Sequence, residues 1–301
     1  MRTAAVLFFF MGLTFGSAGS TTAQAQPAEA NPGASDTYFT IHNILPAHEV
    51  TLGAGTRIGI LDRSFEMDSH PELYAGARDF PPDLSPTRDD KETHHGFWMA
   101  LTLREVAPKA EIFALGIHAG DEAARVEAIS KALDWAVENG LDVVTYCDGV
   151  FSKAARERLD PVVERTVEAG VVVVFVGYPH PLNLLPGGFG PHPDSDLRDA
   201  DLNIFSQDCT ALIGDQVVSL VDPDDDGIRK NRPFLGPTSR GSVTAGFVAL
   251  VRSMDPESSP TEIKRILKET SRPMSYRDQL AARVPDVYQA VMNVAGVAQD
   301  R

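Results

Sequence analysis

Hydrophobic residues occur along the chain in short continuous runs that alternate with longer stretches of helical periodicity. The runs are rich in β-branched residues, which favours strands over helices. They are Thr56 to Leu61, Ile112 to Ile117, Leu141 to Tyr146 and Val171 to Val176. Strands that are apolar throughout, and that are separated by helices, are typical of a parallel sheet buried on both faces. The pattern therefore predicts an α/β fold, with a mainly parallel β-sheet and helices on both of its faces.

Capping residues and helix breakers set the limits of the predicted helices. A helix over Glu122 to Asn139 is predicted to stop at Gly140, because glycine readily ends helices. A second helix is predicted over Pro161 to Ala169, with Asp160 as its N-cap and Pro161 at the first helical position. Three further helices are predicted in the C-terminal part: Gly241 to Met254, Pro260 to Thr270 and Val284 to Val294.

The N-terminus has the three-part layout of a secretory signal peptide. Arg2 precedes an apolar run from Ala4 to Phe15, and the small residues Ala23 and Ala25 follow. We expect a signal peptide over residues 1–25, a flexible lead-in over 26–40 and a tail over 297–301. The apolar run is short for a membrane span. The sequence thus predicts a secreted or periplasmic protein without membrane association after cleavage.

Charge and cysteine content narrow the choice of partners. The formal net charge is -15, and an acidic surface repels phosphate backbones, so no nucleic-acid partner is expected. Cys147 and Cys209 are the two cysteines of the chain. They could form one bridge in an oxidising compartment, or remain two buried thiols.

Three polar residues lie where the predicted strands end or the predicted helices begin. Asp62 ends the first strand, His95 opens a helix, and Ser239 lies just before another helix. A serine hydroxyl becomes a nucleophile when an imidazole takes its proton and a carboxylate orients that imidazole. Each residue alone has an ordinary interpretation as a cap, a turn residue or a surface histidine.

The residues around these positions resemble the subtilase family of serine peptidases. Asp62 followed by His70-Pro71-Glu72-Leu73 is similar to that family's strand, Asp and His-Pro-(Asp/Glu)-Leu segment. His95-Gly96 with Ala100 resembles its His-Gly-Thr-x-Val-Ala motif. Further similar segments are Val106 to Ile112, Ala132 to Val144, the four valines after Gly170, and Val284 to Val291. The resemblance runs in order from about Thr56 to Val294.

This resemblance implies a single subtilisin-like peptidase domain over residues 41–296. It implies hydrolysis of peptide bonds in peptide or protein substrates through an acyl-enzyme, without a required cofactor. Asp62 would orient the imidazole, His95 would be general base and then general acid, and Ser239 would attack. The strand that includes Cys147 and Gly149 is similar to the one that lines the substrate pocket, so these two residues are candidate substrate contacts.

Four departures from the family pattern keep a second function open. Arg63-Ser64 follows Asp62 where the family has a small residue and Gly, and Phe97 and Trp98 are bulkier than usual. Tyr178 stands where the family has the Asn that donates to the oxyanion, and its hydroxyl is a candidate substitute. An ungapped register places Thr238, rather than Ser239, at the nucleophile position. The alternative is therefore an inactive domain that binds peptides or protein partners, and an esterase on the same scaffold is a third option.

An acidic segment and two loop histidines complete the candidate chemistry. Asp222, Asp224 and Asp226 precede Gly227 with the alternate spacing of the first half of a calcium loop, but the second half is missing. A Ca²⁺ ion is one interpretation, and a solvated acidic turn between two strands is the other. His180 and His192 lie in a Pro/Gly-rich loop, where they are candidate metal ligands.

Overall fold

The alternation of strands and helices predicted above is present in the computed structural model. The structure describes residue 39 and residues 42–80, 94–117, 121–147, 151–184, 218–222, 227–232, 239–276 and 279–299, all within one unit that covers 32–301. The predicted signal peptide lies outside these residues. The strands are β1 Arg57–Asp62, β2 Gly76–Phe80, β3 Glu111–Ile117, β4 Val143–Tyr146, β5 Val172–Phe175, β6 Val218–Asp222, β7 Gly227–Arg232, β8 Arg272–Tyr276 and β9 Gln279–Val284. The helices are α1 Ile44–His48, α2 His95–Val106, α3 Glu122–Glu138, α4 Lys153–Glu168, α5 Ser239–Arg252, α6 Pro260–Glu269 and α7 Val287–Gln299.

Five of these strands form one sheet in the order β2-β3-β1-β4-β5, and every pair in it is parallel. The first strand therefore lies in the centre, with β3 on one side and β4 on the other. The chain fills one side of β1 first and then crosses to the other side. In open α/β sheets, ligands bind at the carboxyl ends of strands where the chain changes sides in this way.

Helices cover both faces of this sheet, as the sequence predicts. Alternate residues of β5 point to opposite faces: Val172 and Val174 pack into the core that α2 and α5 cover, whereas Val173 and Phe175 pack into the core that α3 and α4 cover. Both cores consist of buried aliphatic and aromatic side chains. Burial on both sides explains why β5 is apolar throughout, since none of its residues faces water, whereas the edge strand β2 has two exposed residues.

The limits of α3 agree with the prediction, but those of α4 do not. Helix α3 ends before Gly140, which has a φ of 62°, in the left-handed region where glycine is unstrained. Helix α4 begins at Lys153, so Asp160 is not its N-cap and Pro161 lies inside it. Ser152 is the N-cap, and its hydroxyl accepts a hydrogen bond from the Ala155 N–H at 3.2 Å. The loss of one backbone hydrogen bond at Pro161 is offset by the burial of the residues around it.

The two ends of the described domain are joined by hydrogen bonds. His42 Nδ1 donates to the carbonyl of Pro285 at 2.8 Å, and the Val287 N–H donates to the carbonyl of His42 at 3.0 Å. Asn43 Nδ2 donates to Asp286 Oδ2 at 2.7 Å. The segment before β1 is thereby fixed to the start of the last helix.

Two antiparallel hairpins, β6–β7 and β8–β9, form sheets separate from the main one, and the first of them flanks the acidic segment. Strands β6 and β7 pair so that Asp222 lies opposite Gly227. Asp224 and Asp226, which lie between these strands in the sequence, are outside the described residues. No helix among the described residues is long and apolar enough to cross a bilayer.

Candidate active site

Asp62 occupies the carboxyl end of the central strand. It is the last residue of β1, and its side chain is almost completely buried. Its Oδ1 atom accepts a hydrogen bond from the Arg63 N–H at 2.8 Å. This bond fixes the plane of the carboxylate and directs the other oxygen along the edge of the sheet.

His95 meets that second oxygen. Its Nδ1 atom lies 2.6 Å from Asp62 Oδ2, and its side chain is 24% exposed whereas that of Asp62 is 3% exposed. Because a carboxylate only accepts, the Nδ1 atom carries the proton in this bond, and Nε2 of the neutral ring is then an acceptor. This pair has the geometry that a general base requires: an oriented tautomer on a ring that solvent still reaches.

Backbone contacts at the start of α2 hold His95 in this place. The Gly96 N–H donates to the carbonyl of Arg63 at 2.8 Å, and the Phe97 N–H donates to the carbonyl of Ser64 at 3.0 Å. These carbonyls satisfy helix donors that have no partner within the helix. A Cβ atom at Gly96 would lie 2.6 Å from the Arg63 carbonyl oxygen, so only glycine allows the loop after β1 to approach so closely.

Ser239 is the first residue of α5 and is 2% exposed. Helix α5 packs so closely on β4 that a Cβ atom at Gly241 would lie 2.7 Å from both Cys147 Sγ and Thr145 Oγ1. Its first turn therefore lies at the carboxyl end of β4, the strand next to β1. Thr238 and Gly149 lie outside the described residues.

Comparison of the sequence with known proteins finds subtilisins. Over 132 residues the chain is 30% identical to subtilisin BL of Lederbergia lenta, covering 40% of this chain and 47% of that protein. It is 26% identical over 132 residues to subtilisin E of Bacillus subtilis strain 168, covering 40% of this chain and 33% of that protein. These matches span less than half of each relative. No family model matches the sequence.

Solved structures of subtilisin-like proteins share the fold over most of the chain. MycP1 from the ESX-1 type VII secretion system has a TM-score of 0.59 at 15% identity, covering 87% of this chain and 87% of that chain. A cold adapted subtilisin-like serine proteinase has a TM-score of 0.56 at 14% identity, covering 78% of this chain and 89% of that chain. The chain therefore has a subtilisin-like fold, and part of its sequence is similar to subtilisins.

The first departure from the subtilase pattern, Arg63-Ser64, is visible in the backbone. Ser64 has a φ of 57°, in the left-handed region that glycine adopts without strain. Glu66 and His94 are also left-handed, with φ of 53° and 47°. The loop after Asp62 keeps its close approach to α2 although a serine occupies the strained position.

The bulky residues beside His95 belong to the core. Phe97 and Trp98 are both buried in the core between α2 and the sheet. The ring of Phe97 stacks on His70, with centroids 4.7 Å apart and an angle of 26° between the planes. The His-Pro-Glu-Leu segment and the enlarged aromatic residues thus pack against each other.

Sequence reasoning did not assign a role to the residue before His95. The side chain of His94 is only 7% exposed. Its Nδ1 atom lies 2.6 Å from Oε1 of Glu66, whose side chain is 9% exposed. The signal available in the sequence was the spacing: Glu66 follows Asp62 by four residues, and the two histidines are adjacent.

Cys147 follows β4 and lies at the same edge as Asp62. It is a buried thiol outside any disulfide, and its Sγ atom is 3.6 Å from Thr145 Oγ1 and 3.7 Å from Ser242 Oγ. Burial raises the pKa of the Cys147 thiol to about 12, and the negative charge of Asp62 adds to the shift. The thiol therefore stays protonated at neutral pH, which makes it unsuitable as a nucleophile. Cys209 lies outside the described residues.

The structure does not support the prediction that Tyr178 supplies an oxyanion donor. Its side chain lies in the core covered by α3 and α4, on the opposite face from α2 and α5. The hydroxyl donates to Oδ1 of Asp160, in the middle of α4. The reason is local: continued alternation along β5 would place Tyr178 on the same face as Val176, but Gly177 has a left-handed φ of 74°, and after this turn the Tyr178 side chain lies on the face of Phe175.

The loop after β5 is held by Asn183, which the sequence analysis did not select. The Asn183 side chain is fully buried, and its Oδ1 accepts from the Phe175 N–H at 2.8 Å. Its Nδ2 donates to the carbonyls of Phe175 at 2.7 Å and Tyr178 at 2.8 Å. The amide bonds both the N–H and the carbonyl of Phe175, as a neighbouring strand would, and it also holds the turn that follows β5.

The candidate metal ligands are placed only in part. The ring of His180 stacks on Tyr178, and its Nδ1 accepts from the Leu182 N–H at 3.3 Å. His192 and the acidic turn residues Asp224 and Asp226 lie outside the described residues. Within the described ranges no group of three or more His, Cys, Asp or Glu side chains is arranged to hold a metal ion.

Proposed function

We propose that this protein is a secreted or periplasmic serine endopeptidase that uses Asp62, His95 and Ser239. The observation that carries the proposal is the bond between His95 Nδ1 and Asp62 Oδ2, at 2.6 Å on a ring that remains partly exposed. A carboxylate in this position stabilises the imidazolium that forms when His95 takes a proton. The similarity to subtilisins supports the same assignment.

The first half of the reaction is acylation. His95 Nε2 removes the proton from the Ser239 hydroxyl, and the Ser239 oxygen attacks the carbonyl carbon of the peptide bond. A tetrahedral intermediate forms with its negative charge on the former carbonyl oxygen. His95 then transfers the proton to the leaving amine, the C–N bond breaks, and an acyl-enzyme remains on Ser239.

The second half is deacylation by water. His95 takes a proton from the water molecule, hydroxide attacks the acyl carbon, and the proton returns to the Ser239 oxygen as the acid product leaves. Asp62 keeps the same hydrogen bond through both halves, so the histidine acts first as base and then as acid in each half.

Charge on the intermediate must be stabilised without a side chain from Tyr178. Ser239 is the first residue of α5, and the N–H groups in a first helical turn have no acceptor within the helix. They attract a developing oxyanion, as helix N-termini attract anions generally. Loss of one side-chain donor costs about 2.7–4 kcal/mol in transition-state stabilisation, so we expect a slow peptidase.

Substrate would bind along the end of β4. Cys147 and Gly149 follow this strand, next to Asp62 and the first turn of α5. In this proposal they form the wall of the pocket that receives the side chain before the cleaved bond. Cys147 is fully buried against the first turn of α5, so in this proposal it supports the wall from behind and does not contact the substrate directly.

The proposal is tested by labelling with a fluorophosphonate probe, which reacts only with an activated serine. We expect one adduct per wild-type molecule and none in Ser239→Ala. Thr238→Ala should keep the adduct, and Ser130→Ala is a matched control because Ser130 lies on α3, on the far face of the sheet. Labelling that survives Ser239→Ala but disappears in Thr238→Ala would move the nucleophile to Thr238.

An inactive, peptide-binding domain is the second candidate, and the Tyr178–Asp160 contact favours it. That contact leaves the position after β5 without the donor that subtilases use for the oxyanion. If this candidate is correct, folded wild-type protein gives no adduct, yet a fluorescent peptide library still binds. Mutation of His95 to Ala would then leave peptide affinity unchanged.

Export and calcium binding have their own tests. N-terminal sequencing of the exported protein should begin near Gln26, and an intact Met1 would contradict the signal-peptide proposal. If Asp222, Asp224 and Asp226 bind Ca²⁺, millimolar calcium should raise the melting temperature by mass action. The shift should be lost in a double variant, Asp224→Ala with Asp226→Ala, and an equal shift in that variant would rule this segment out.

A further inference from the structure

A second histidine–carboxylate pair lies directly beside the pair that carries the proposed chemistry. His94 precedes His95 in the chain, and Glu66 lies four residues after Asp62. The 2.6 Å contact between His94 Nδ1 and Glu66 Oε1 is almost completely shielded from water. Two adjacent histidines at the start of α2 thus meet two carboxylates from the end of β1 and the loop that follows it.

Backbone strain is concentrated in this junction. Four non-glycine residues of the described ranges have a positive φ, and three of them are Ser64, Glu66 and His94. Left-handed backbone is unfavourable for residues with a Cβ atom and persists only where the surroundings impose it. The side-chain contact between Glu66 and His94 joins two of these strained residues and supplies such a constraint.

Other contacts close the same loop without involving the side chain of the residue before His95. The Tyr74 hydroxyl donates to the carbonyl of Phe65 at 2.6 Å, and the carbonyls of Arg63 and Ser64 accept from α2. Helix α2 has no side-chain N-cap at His94, so its entry is not fixed by an ordinary capping bond. The Glu66 carboxylate holds His94 instead.

We propose that Glu66 and His94 are positioning residues that set the orientation of His95 toward Asp62. The inference rests on the proposed peptidase function. The pair holds the peptide unit that leads into His95, and an error of about 1 Å in a base costs roughly a hundredfold in rate. Its effect should fall on kcat, because neither side chain is proposed to contact the substrate.

The experiment distinguishes the effect of losing the His94–Glu66 contact from the effect of relieving the backbone strain at His94. His94→Gly relaxes the left-handed position but removes the donor, whereas His94→Asn tolerates that position and keeps an N–H group at the place of Nδ1. Glu66→Ala removes the acceptor and leaves His94 in place. Glu72→Ala is the matched control, because Glu72 makes an exposed contact of 3.3 Å with His70 in the same loop.

We expect His94→Gly and Glu66→Ala to lower kcat about tenfold to a hundredfold, with KM changed less than about twofold. His94→Asn and Glu72→Ala should remain within about threefold of wild type. Circular dichroism checks that each variant is folded. A kcat at the wild-type value in folded His94→Gly or folded Glu66→Ala would overturn the proposal.

A second readout does not depend on turnover. The proton on His95 Nδ1 gives a strongly downfield NMR resonance while it is held by the Asp62 carboxylate. It should be present in wild type and His94→Asn and lost in His94→Gly. If the wild type fails to react with the fluorophosphonate probe, this pattern still supports the positioning role while the peptidase proposal fails. Persistence of the resonance in His94→Gly would overturn the positioning role alone.

Discussion

The carboxyl ends of β1 and β5 lie on the same edge of the sheet but are used in different ways. At the end of β1, polar groups meet one another at the edge: Asp62 contacts His95, and Glu66 contacts His94. At the end of β5, the polar groups bond to other groups in the protein interior. Tyr178 donates to Asp160 below the sheet, and the amide of Asn183 binds the backbone of its own turn.

This difference separates two requirements of acyl transfer. The end of β1 has what proton transfer needs, namely an oriented imidazole with a buried carboxylate behind it. At the end of β5, where subtilases carry an oxyanion donor, the Tyr178 side chain packs in the core and bonds Asp160. In this chain the polar pair at the end of β1 stays partly exposed, whereas the side chain at the corresponding position after β5 has become part of the core.

Replacing Asp62 by Asn should have the largest effect. Asn keeps the shape of the side chain, but its amide can donate to Nδ1 and so stabilise the wrong tautomer of His95. We expect kcat to fall by about 10⁴ with the fold unchanged. Steady-state kinetics and circular dichroism measure both properties. Asp134→Asn, which alters an exposed carboxylate paired with Arg165, should stay near wild type; a comparable fall in that variant would contradict a specific role for Asp62.

Replacing Gly96 by Ala should disrupt the packing of the loop after β1 against α2 by steric conflict. The new Cβ would meet the carbonyl of Arg63 at 2.6 Å and the Phe65 ring at 2.8 Å, so the loop must move away from α2. We expect the free energy of unfolding to fall by about 1–3 kcal/mol, with loss of fluorophosphonate labelling. Gly296→Ala is the control, because its Cβ would enter open space on α7 and should stabilise the helix by about 0.5–1 kcal/mol. Unchanged stability in Gly96→Ala would show that the loop is not tightly packed.

Replacing Tyr178 by Phe tests the structural role of the residues at the end of β5. The ring stays in the core while Asp160 loses a hydrogen bond, so we expect a loss of about 1 kcal/mol in stability, measured by urea unfolding. The value of kcat should stay within about twofold of wild type. A fall of about a hundredfold or more would mean that the hydroxyl reaches the oxyanion during catalysis, and would remove the distinction between the two ends.

Titration of Cys147 should give the smallest effect. The folded-state pKa of about 12 lies above that of an exposed thiol, so the unfolded chain releases the proton first as pH rises. The contribution of this group to stability is complete below about pH 9 and is lost progressively as pH rises toward about 12. We expect wild type to lose about 1 kcal/mol more than Cys147→Ala between pH 8 and pH 10. Equal losses in urea unfolding at the two pH values would indicate that the thiol is accessible to water.

The parts of the molecule predicted from the sequence are those determined by local pattern. Apolar runs predicted β1, β3, β4 and β5, because burial on both faces leaves few polar positions in them. The edge strand β2, in which two residues are exposed, has no such run and was not predicted. The placement of Asp62 at a strand end and His95 at a helix start follows from the same local signals, and the structure brings these two side chains together.

The parts that could not be predicted depend on contacts between distant segments. Helix α4 begins two turns before Pro161 because Ser152 is held by Glu122, at the start of another helix. The orientation of Tyr178 depends on the left-handed turn at Gly177 and on the position of Asp160 on α4. The burial of His94 depends on a loop that lies 28 residues earlier in the chain. No local pattern carries this information.

The tie between His42 and the Pro285–Val287 segment also fixes an order of events during folding. Its contacts join residues separated by more than 240 positions, so they close almost the whole chain into one loop. Closure of so long a loop is entropically costly and slow, and contacts of high sequence separation form late. During synthesis the residues around His42 must therefore wait for these partners until the last helix has been made, although residues nearer β1 can already bond to the segment around Val106. Part of the segment before β1 is thus among the last to reach its final place.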